Sequence, residues 1–455
     1  MRKSSVTARS HSGACRCEIC GDNRPFELPK DLYERFIHGE VVIFAGAGVS
    51  TENHAVYPYT LYQEVCGELD IRPEERPAFP DVMTKYCSQP DGRANLLRKI
   101  KDRLEYVRSF PELYRRATRF HSELSTLSVV EEIVTTNWDS YFEDECGATP
   151  FVTAEDFAFW KVPGRKVLKI HGSVDSYGSI VATREDYNLC EQRLTTGVLG
   201  STLRMLLATK TIVYIGFSFS DDDFIHLQSA LVAEMKGLCP QSYIVTLDHS
   251  SDARFRERNL TPIYTDGTHF VSEVKKLFVS KRQLLGDERY IGVSKFLRKI
   301  LKAHDQLSDI DPQRFPDVVF GMSYQDGFIH ALERILALRH TGYYSHACNP
   351  IKMAKFYIDT LGPEKLKSRK YHDAAYAEGY GDGLLFFIAD DDLRDMFPMY
   401  FAFGESKVIR SLRDYQRALR RAPRVSPRKH AFAKRLIHEH NTEAGFVLHH
   451  TPFLL

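Results

Sequence analysis

The chain has 455 residues, roughly two to three times the usual domain size, which points to two domains with enough length to bury a large core. Hydrophobic residues make up 43% and charged residues 27%, and 61 Lys plus Arg nearly cancel 60 Asp plus Glu, which excludes both a disordered polyelectrolyte and a uniformly basic nucleic-acid binder. No apolar run approaches the roughly 18 residues that cross a bilayer, and Met1 to Ala14 lacks the apolar stretch of a signal peptide, so the expectation is a soluble, cytoplasmic protein with no membrane partner.

In chain order, residues 1–27 read as a leader. Within it His11, Cys15, Cys17 and Cys20 form an H-x3-C-x-C-x2-C arrangement, and three thiolates and an imidazole can enclose a structural zinc ion. Free thiols on a leader are the alternative. The other cysteines of the nine are mostly scattered singly, which is not a disulfide framework and agrees with a reducing compartment.

From about Val41 to Phe278 short β-branched or apolar runs alternate with longer helical patterns, as a parallel sheet with crossover helices requires. The predicted strands are Val41 to Ala45, Glu132 to Thr136, Val167 to Ile170, Thr211 to Ile215, Ser242 to Leu247 and Pro262 to Tyr264. Helices are expected at Thr60 to Leu69, Leu96 to Tyr106, Asp223 to Met235 and Phe270 to Phe278, where apolar residues recur at helical spacing. This Rossmann-like α/β domain is assigned to 28–285, and a mainly helical domain for assembly or partner binding to 286–455. The second domain carries helical patterns at Ile291 to His304, Gly327 to His340, Pro350 to Leu361 and Ser406 to Ala422, with a strand expected at Leu384 to Ile388.

Several strands end in polar residues or glycine. The first runs into Gly46-Ala47-Gly48-Val49-Ser50-Thr51, in which two glycines let the backbone approach a pyrophosphate and the following amides and hydroxyls supply donors. A turn that merely packs a helix on the sheet is the alternative, since the third glycine of the dinucleotide fingerprint is missing. The second strand ends as Thr135-Thr136-Asn137-Trp138-Asp139, the third as Lys169-Ile170-His171-Gly172-Ser173 and the fourth as Tyr214-Ile215-Gly216-Phe217-Ser218. In an open parallel sheet these ends converge on one cleft, within reach of one nucleotide.

These segments, in this order and spacing, resemble the sirtuin superfamily, and more closely its divergent bacterial sirtuin-like NADase branch of antiphage defence systems. The resemblance covers about Leu28 to Leu285. It implies a Rossmann-like fold that takes NAD as substrate, with Gly46, Ala47, Gly48, Ser50 and Thr51 toward the phosphates, and Gly216 and Ser218 near the adenosine ribose. Asn137, Asp139 and His171 match the residues around the nicotinamide ribose and carboxamide.

Chemistry supports the same three residues. Breaking the bond from ribose C1′ to nicotinamide builds positive charge on the sugar, so the site needs oriented hydroxyls, a held water and a group that takes a proton near neutral pH. Asn137 can hold the water and a ribose hydroxyl, His171 can accept the proton, and Asp139 can accept from the carboxamide or cap the helix that follows. Two departures stand out. Between His171 and Gly216 the only cysteine is Cys190, so the four-thiolate zinc module of protein-deacetylating sirtuins cannot form, which favours hydrolysis over deacylation. The loop Glu52 to Tyr59 lacks the family's Asp-Phe-Arg run, and Tyr57 and Tyr59 are the alternatives there, either as ligand contacts or as loop packing.

The 407–435 stretch is strongly basic, with Arg410, Arg413, Arg417, Arg420, Arg421 and Arg424 at helical spacing. It suits nucleic acid, an acidic partner, the nearby Asp390 to Asp395 cluster, or simply solvent. The resulting expectation is an NAD glycohydrolase acting in antiphage defence, as a homo-oligomer controlled by a HerA-like ATPase or a phage-derived trigger. The alternatives are an NAD-dependent deacylase or ADP-ribosyltransferase, and a non-catalytic subunit that senses NAD or ADP-ribose.

Overall fold

The β-branched and apolar runs at Val41–Ala45 and Thr211–Ile215 lie in strands buried along their whole length. A computed structural model describes residues 22–51, 56–72, 74–75, 77–217, 235–236, 238–249, 255, 258–439 and 449–453. His11, Cys15, Cys17 and Cys20, expected as zinc ligands, Ser218, expected near the adenosine ribose, and most of the helix expected at Asp223 to Met235 lie outside the described residues. The chain divides into two compact units, residues 1–277 and 278–455.

The first unit is built on seven parallel strands: β1 (Val41–Ala45), β2 (Glu132–Thr135), β3 (Thr149–Phe151), β4 (Lys166–Lys169), β5 (Thr211–Ile215), β6 (Ser242–Thr246) and β7 (Leu260–Tyr264). Their order is β3-β4-β2-β1-β5-β6-β7. All five residues of β1 are buried, as befits the central strand. Ala45 pairs with Thr135 on one side and Ile215 on the other, and Thr135 pairs with Lys169, so these strands stop at one level. Because the chain proceeds outward in opposite directions from β1, the crevice beyond β1 and β5 is the topological switch point where such sheets take ligands. Phe44, Leu168, Ile212, Tyr214 and Ile244 pack one face of the sheet against the Arg184–Thr196 and Val198–Thr209 helices through Leu194, Leu203 and Leu206.

The second unit is helical among its described residues, and one expectation is corrected there. Leu384 to Ile388 is not a strand but the end of the Tyr371–Ile388 helix. That helix is buried on most sides, so its apolar run has no 3.6-residue contrast to read. It crosses the equally buried Val318–Ala337 helix at very close range, where a Cβ on Gly379 would stand 1.9 Å from the Tyr324 carbonyl oxygen. The Pro350 to Leu361 pattern is a Cys348–Lys355 helix that widens into a π-helical turn over Phe356–Leu361. The basic helix spans Leu412–Val425, begun by the Ser411 hydroxyl accepting from Asp414 N–H. Tyr415, Ala418, Leu419 and Ala422 fill its inner face, leaving Arg413, Arg417, Arg420, Arg421 and Arg424 exposed. Among the described residues no helix is long and apolar enough to cross a membrane.

Candidate active site

The turn after β1 and the turn after β5 interlock at the switch point. A Cβ on Gly46 would lie 2.3 Å from the Gly216 carbonyl oxygen, and Gly216 itself has φ +63° with its Cβ direction blocked 2.7 Å away by Val49 N. Only glycine fits either position without moving the other turn. The amides of Gly46 and Gly48 donate to the carbonyls of Ile215 and Gly216 at 2.9 and 3.0 Å, and those of Val49 and Ser50 are spent within the turn. The segment Ala47–Val49 is a single short 3-10 turn and not the first turn of an α-helix. The first α-helix after it is Leu61–Glu68, capped by Thr60. These glycines therefore serve the close approach of two turns.

Polar side chains then tie this turn to the end of β2. The Thr135 hydroxyl donates to Ala45 O at 2.9 Å and accepts from Asn137 N–H at 3.0 Å. Asn137 Nδ2 donates to Gly46 O at 3.1 Å, which fixes the amide so that Oδ1 points the other way. That oxygen is buried and has no hydrogen-bond partner among the described residues. A buried acceptor left open in this way costs stability unless a ligand or water serves it. The Ser50 hydroxyl, 2% exposed, donates to Asp139 Oδ2 at 2.5 Å, while Asp139 Oδ1 accepts from Tyr141 N–H at 3.1 Å. Asp139 thus bridges the glycine turn to the start of the Tyr141–Cys146 helix, and retains lone pairs for a further donor.

Lys169 closes this arrangement from below. Its side chain is fully buried, and Nζ donates to Asp139 O at 2.5 Å and to Glu143 Oε1 at 2.9 Å. Burial pushes the Glu143 carboxyl up, and the Lys169 ammonium opposes that shift. His171 leaves β4 two residues later, buried, with its ring 5.1 Å from that of Tyr187 and its carbonyl accepting from Val181 N–H. Cys190, which stands in the interval that carries the zinc module elsewhere, is a core thiol donating to Ile170 O.

A cleft of about 850 Å³ lies over these groups. Gly46, Ala47, Gly48, Ser50, Thr51, Asn137, Asp139, His171 and Gly216 all line it, as do Thr246 at the end of β6, Asp248 beyond it and Asp266 beyond β7. Three lining arginines escaped sequence reasoning. Arg103 donates to Glu64 Oε2 and Tyr59 O, Arg119 pairs with Asp266 at 2.8 Å, and Arg116 pairs with Glu112. They lie on helices between the motifs, where nothing in the sequence distinguishes them from surface bases. Tyr57 and Tyr59 do not line the cleft. Tyr57 packs under the Arg103 guanidinium, 4.1 Å from its ring centre, and donates to Arg103 O, so this aromatic pair is loop packing.

A doubly wound parallel sheet with interlocked glycine turns at its switch point and an amide, a carboxylate and an imidazole on the adjoining strand ends defines a Rossmann-like domain. The SIR2-like domain family matches residues 131–263, which takes in Asn137, Asp139, His171 and Gly216 but not the glycine turn after β1. NAD(+) hydrolase ThsA of Cytobacillus dafuensis is 26% identical over 211 residues, 45% of this chain and 40% of that protein. Defense-associated sirtuin 2 of Bacillus subtilis is 23% identical over 210 residues, 44% of this chain and 20% of that one. NAD(+) hydrolase ThsA of Enterococcus faecium is 26% identical over 209 residues, 44% and 42% of the two chains. The chain spans about two fifths or less of the length of these curated relatives.

Proposed function

We propose that this chain is an NAD glycohydrolase, splitting NAD into nicotinamide and ADP-ribose, and that it acts in antiphage defence by depleting NAD. The observation that carries the reading is Asn137 Oδ1, unpartnered among the described residues and buried in a cleft it shares with Asp139 and His171 at the switch point. The names of the relatives point the same way. In this mechanism Asn137 Oδ1 accepts from a water or from a ribose hydroxyl, holding it against C1′. The water oxygen bonds to C1′ as the C1′–N bond breaks, its electron pair passes to the pyridinium nitrogen, and neutral nicotinamide leaves. The proton shed by the water goes to His171 and then to solvent. Asp139 keeps Asn137 and the Ser50 turn in register and offers a remaining lone pair to the carboxamide. Ala47, Gly48, Ser50 and Thr51 shape the phosphate end.

Hydrolysis is favoured over lysine deacylation because the four-thiolate module is missing, and Cys190 is committed to the core. An enzyme that consumes NAD needs a resting state, so we assign the helical unit to homo-oligomer assembly and to a trigger, either a HerA-like ATPase, nucleic acid along 407–435 or a phage-derived protein. The exposed face of Arg413, Arg417, Arg420, Arg421 and Arg424 is the proposed surface. Part of the basic stretch is already engaged, through Arg417 to Asp414 at 2.9 Å and Arg410 to Asp395 at 3.7 Å. Incubating the purified chain with NAD, with and without such a partner, and separating the products by chromatography tests the proposal. Equal amounts of nicotinamide and ADP-ribose are expected. Release of nicotinamide with ADP-ribose bound to an acceptor would instead make it a transferase, and intact NAD under every condition would leave only binding.

A further inference from the structure

The helical unit gathers imidazoles and carboxylates that play no part in the NAD cleft. His304 stands on the Glu288–Ser308 helix, Asp326 on the Val318–Ala337 helix and His449 on the C-terminal segment 449–453. His304 and Asp326 are buried, whereas the His449 side chain is 53% exposed. Three ligand atoms meet there: His304 Nε2 and His449 Nδ1 lie 3.5 and 3.3 Å from Asp326 Oδ1, and 3.3 Å from each other. A tetrahedral zinc ion, with bonds of about 2.0–2.1 Å to nitrogen and oxygen, separates its ligand atoms by roughly 3.3 Å, against roughly 3.0 Å for an octahedral ion at the same bond length. The observed triangle is one face of the tetrahedron.

The surrounding hydrogen bonds orient these atoms. Gln325 Nε2 donates to Met399 O at 2.6 Å, which turns Oε1 toward His304 Nδ1 at 3.1 Å. His304 therefore carries its proton on Nδ1 and presents the Nε2 lone pair to the triangle. Asp326 Oδ2 accepts His450 N–H at 2.8 Å, leaving Oδ1 for the centre. His450 also lies 3.2 Å from Asp373 Oδ1 and stacks on Tyr376 with ring centres 4.1 Å apart, which anchors the segment that carries His449.

We propose that His304, Asp326 and His449 form a binding site for a divalent cation of the zinc type, with the fourth position open to water beside the exposed His449. Two neutral imidazoles and one carboxylate leave a net charge of +1 on the occupied site, and the ion joins the C-terminal segment to two core helices. Occupancy therefore stabilises the helical unit.

The test uses the full chain carrying Cys15→Ser, Cys17→Ser and Cys20→Ser, so that the leader thiols contribute nothing, stripped with a chelator and titrated with Co²⁺ and with Zn²⁺. One equivalent is expected to bind, with the visible absorption of tetrahedral cobalt and no thiolate charge-transfer band. His449→Ala, on the exposed ligand, should weaken binding at least tenfold, the scale on which even outer-shell partners act. Zinc should raise the unfolding temperature of the parent and not of His449→Ala. Failure of the parent to bind cobalt, or equal binding by His449→Ala, would show a His–Asp–His triad that is only hydrogen-bonded. Loss of binding in His372→Ala with retention in His449→Ala would place the ion on the His372–Asp373–His450 group and overturn the assignment.

Discussion

Lys169→Met removes the ammonium that holds the Asn137–Asp139 loop, and its cost follows from the geometry. The Lys169 side chain is fully buried and its Nζ lies 2.9 Å from Glu143 Oε1, itself only 15% exposed. At that distance and an effective dielectric of about 20 the gross attraction is about 6 kcal/mol, most of which offsets the cost of taking both charges out of water. Removing one partner alone leaves the Glu143 carboxylate poorly solvated and the Asp139 carbonyl without its donor, so a loss of about 3–5 kcal/mol is expected. For a unit of this size that lowers the unfolding temperature by roughly 6–12 °C, read by differential scanning calorimetry. Adding Glu143→Gln neutralises the stranded carboxylate and should return at least 1 kcal/mol of the loss, a coupling measured by the double-mutant cycle. NAD turnover should fall in the single variant as the loop loosens, with kcat affected more than KM. A single variant that costs under 1 kcal/mol, or a cycle with no coupling, would refute the idea that this buried pair organises the site.

Gly46→Ala puts a Cβ 2.3 Å from the Gly216 carbonyl, so one turn must move, at an expected cost of about 1–3 kcal/mol together with weaker NAD binding by calorimetry. Normal stability and unchanged affinity would show that the interlock is soft. Burial pushes the Asp382 carboxyl up to about 7, with the Tyr324 hydroxyl donating to it at 2.7 Å. Since the unfolded value is near 4, the folded state holds the extra proton; this stabilisation is complete below about pH 4 and is lost as the pH rises through about 7. Asp382→Asn should therefore flatten the pH dependence of thermal unfolding across that window and raise the midpoint at pH 8; parallel curves for variant and parent would contradict it. Neutralising Arg413, Arg417, Arg420, Arg421 and Arg424 together should impair assembly or activation, followed by light scattering and nicotinamide release, while NAD binding persists. A variant that assembles and activates normally would remove the helical unit's proposed role.

The strands around the switch point were legible because β-branched runs covered on both faces leave little other reading; Val41–Ala45 and Thr211–Ile215 fall where their composition puts them. Thr149–Phe151 was not, since three residues with Pro150 in the middle carry no periodic signal. The polar strand ends could be named in advance, and nine of the named positions line one cleft. Their partners could not. That Asn137 is locked by Gly46 O, that Asp139 is held by Ser50, and that Lys169 props the loop from inside the core depend on strand register, which no single segment encodes. The helical unit was least legible, because helices buried on most sides, such as Tyr371–Ile388, lose the polar stripe by which a helix is distinguished from a strand.

In the proposed function Asn137 and His171 act on a bound NAD. NAD affinity and nicotinamide release measured side by side for Asn137→Ala and His171→Ala test it most directly. Release is expected to fall on the order of a hundredfold or more, with affinity within a few-fold of the parent and a cooperative unfolding transition retained. Near-parental release from either variant would contradict it.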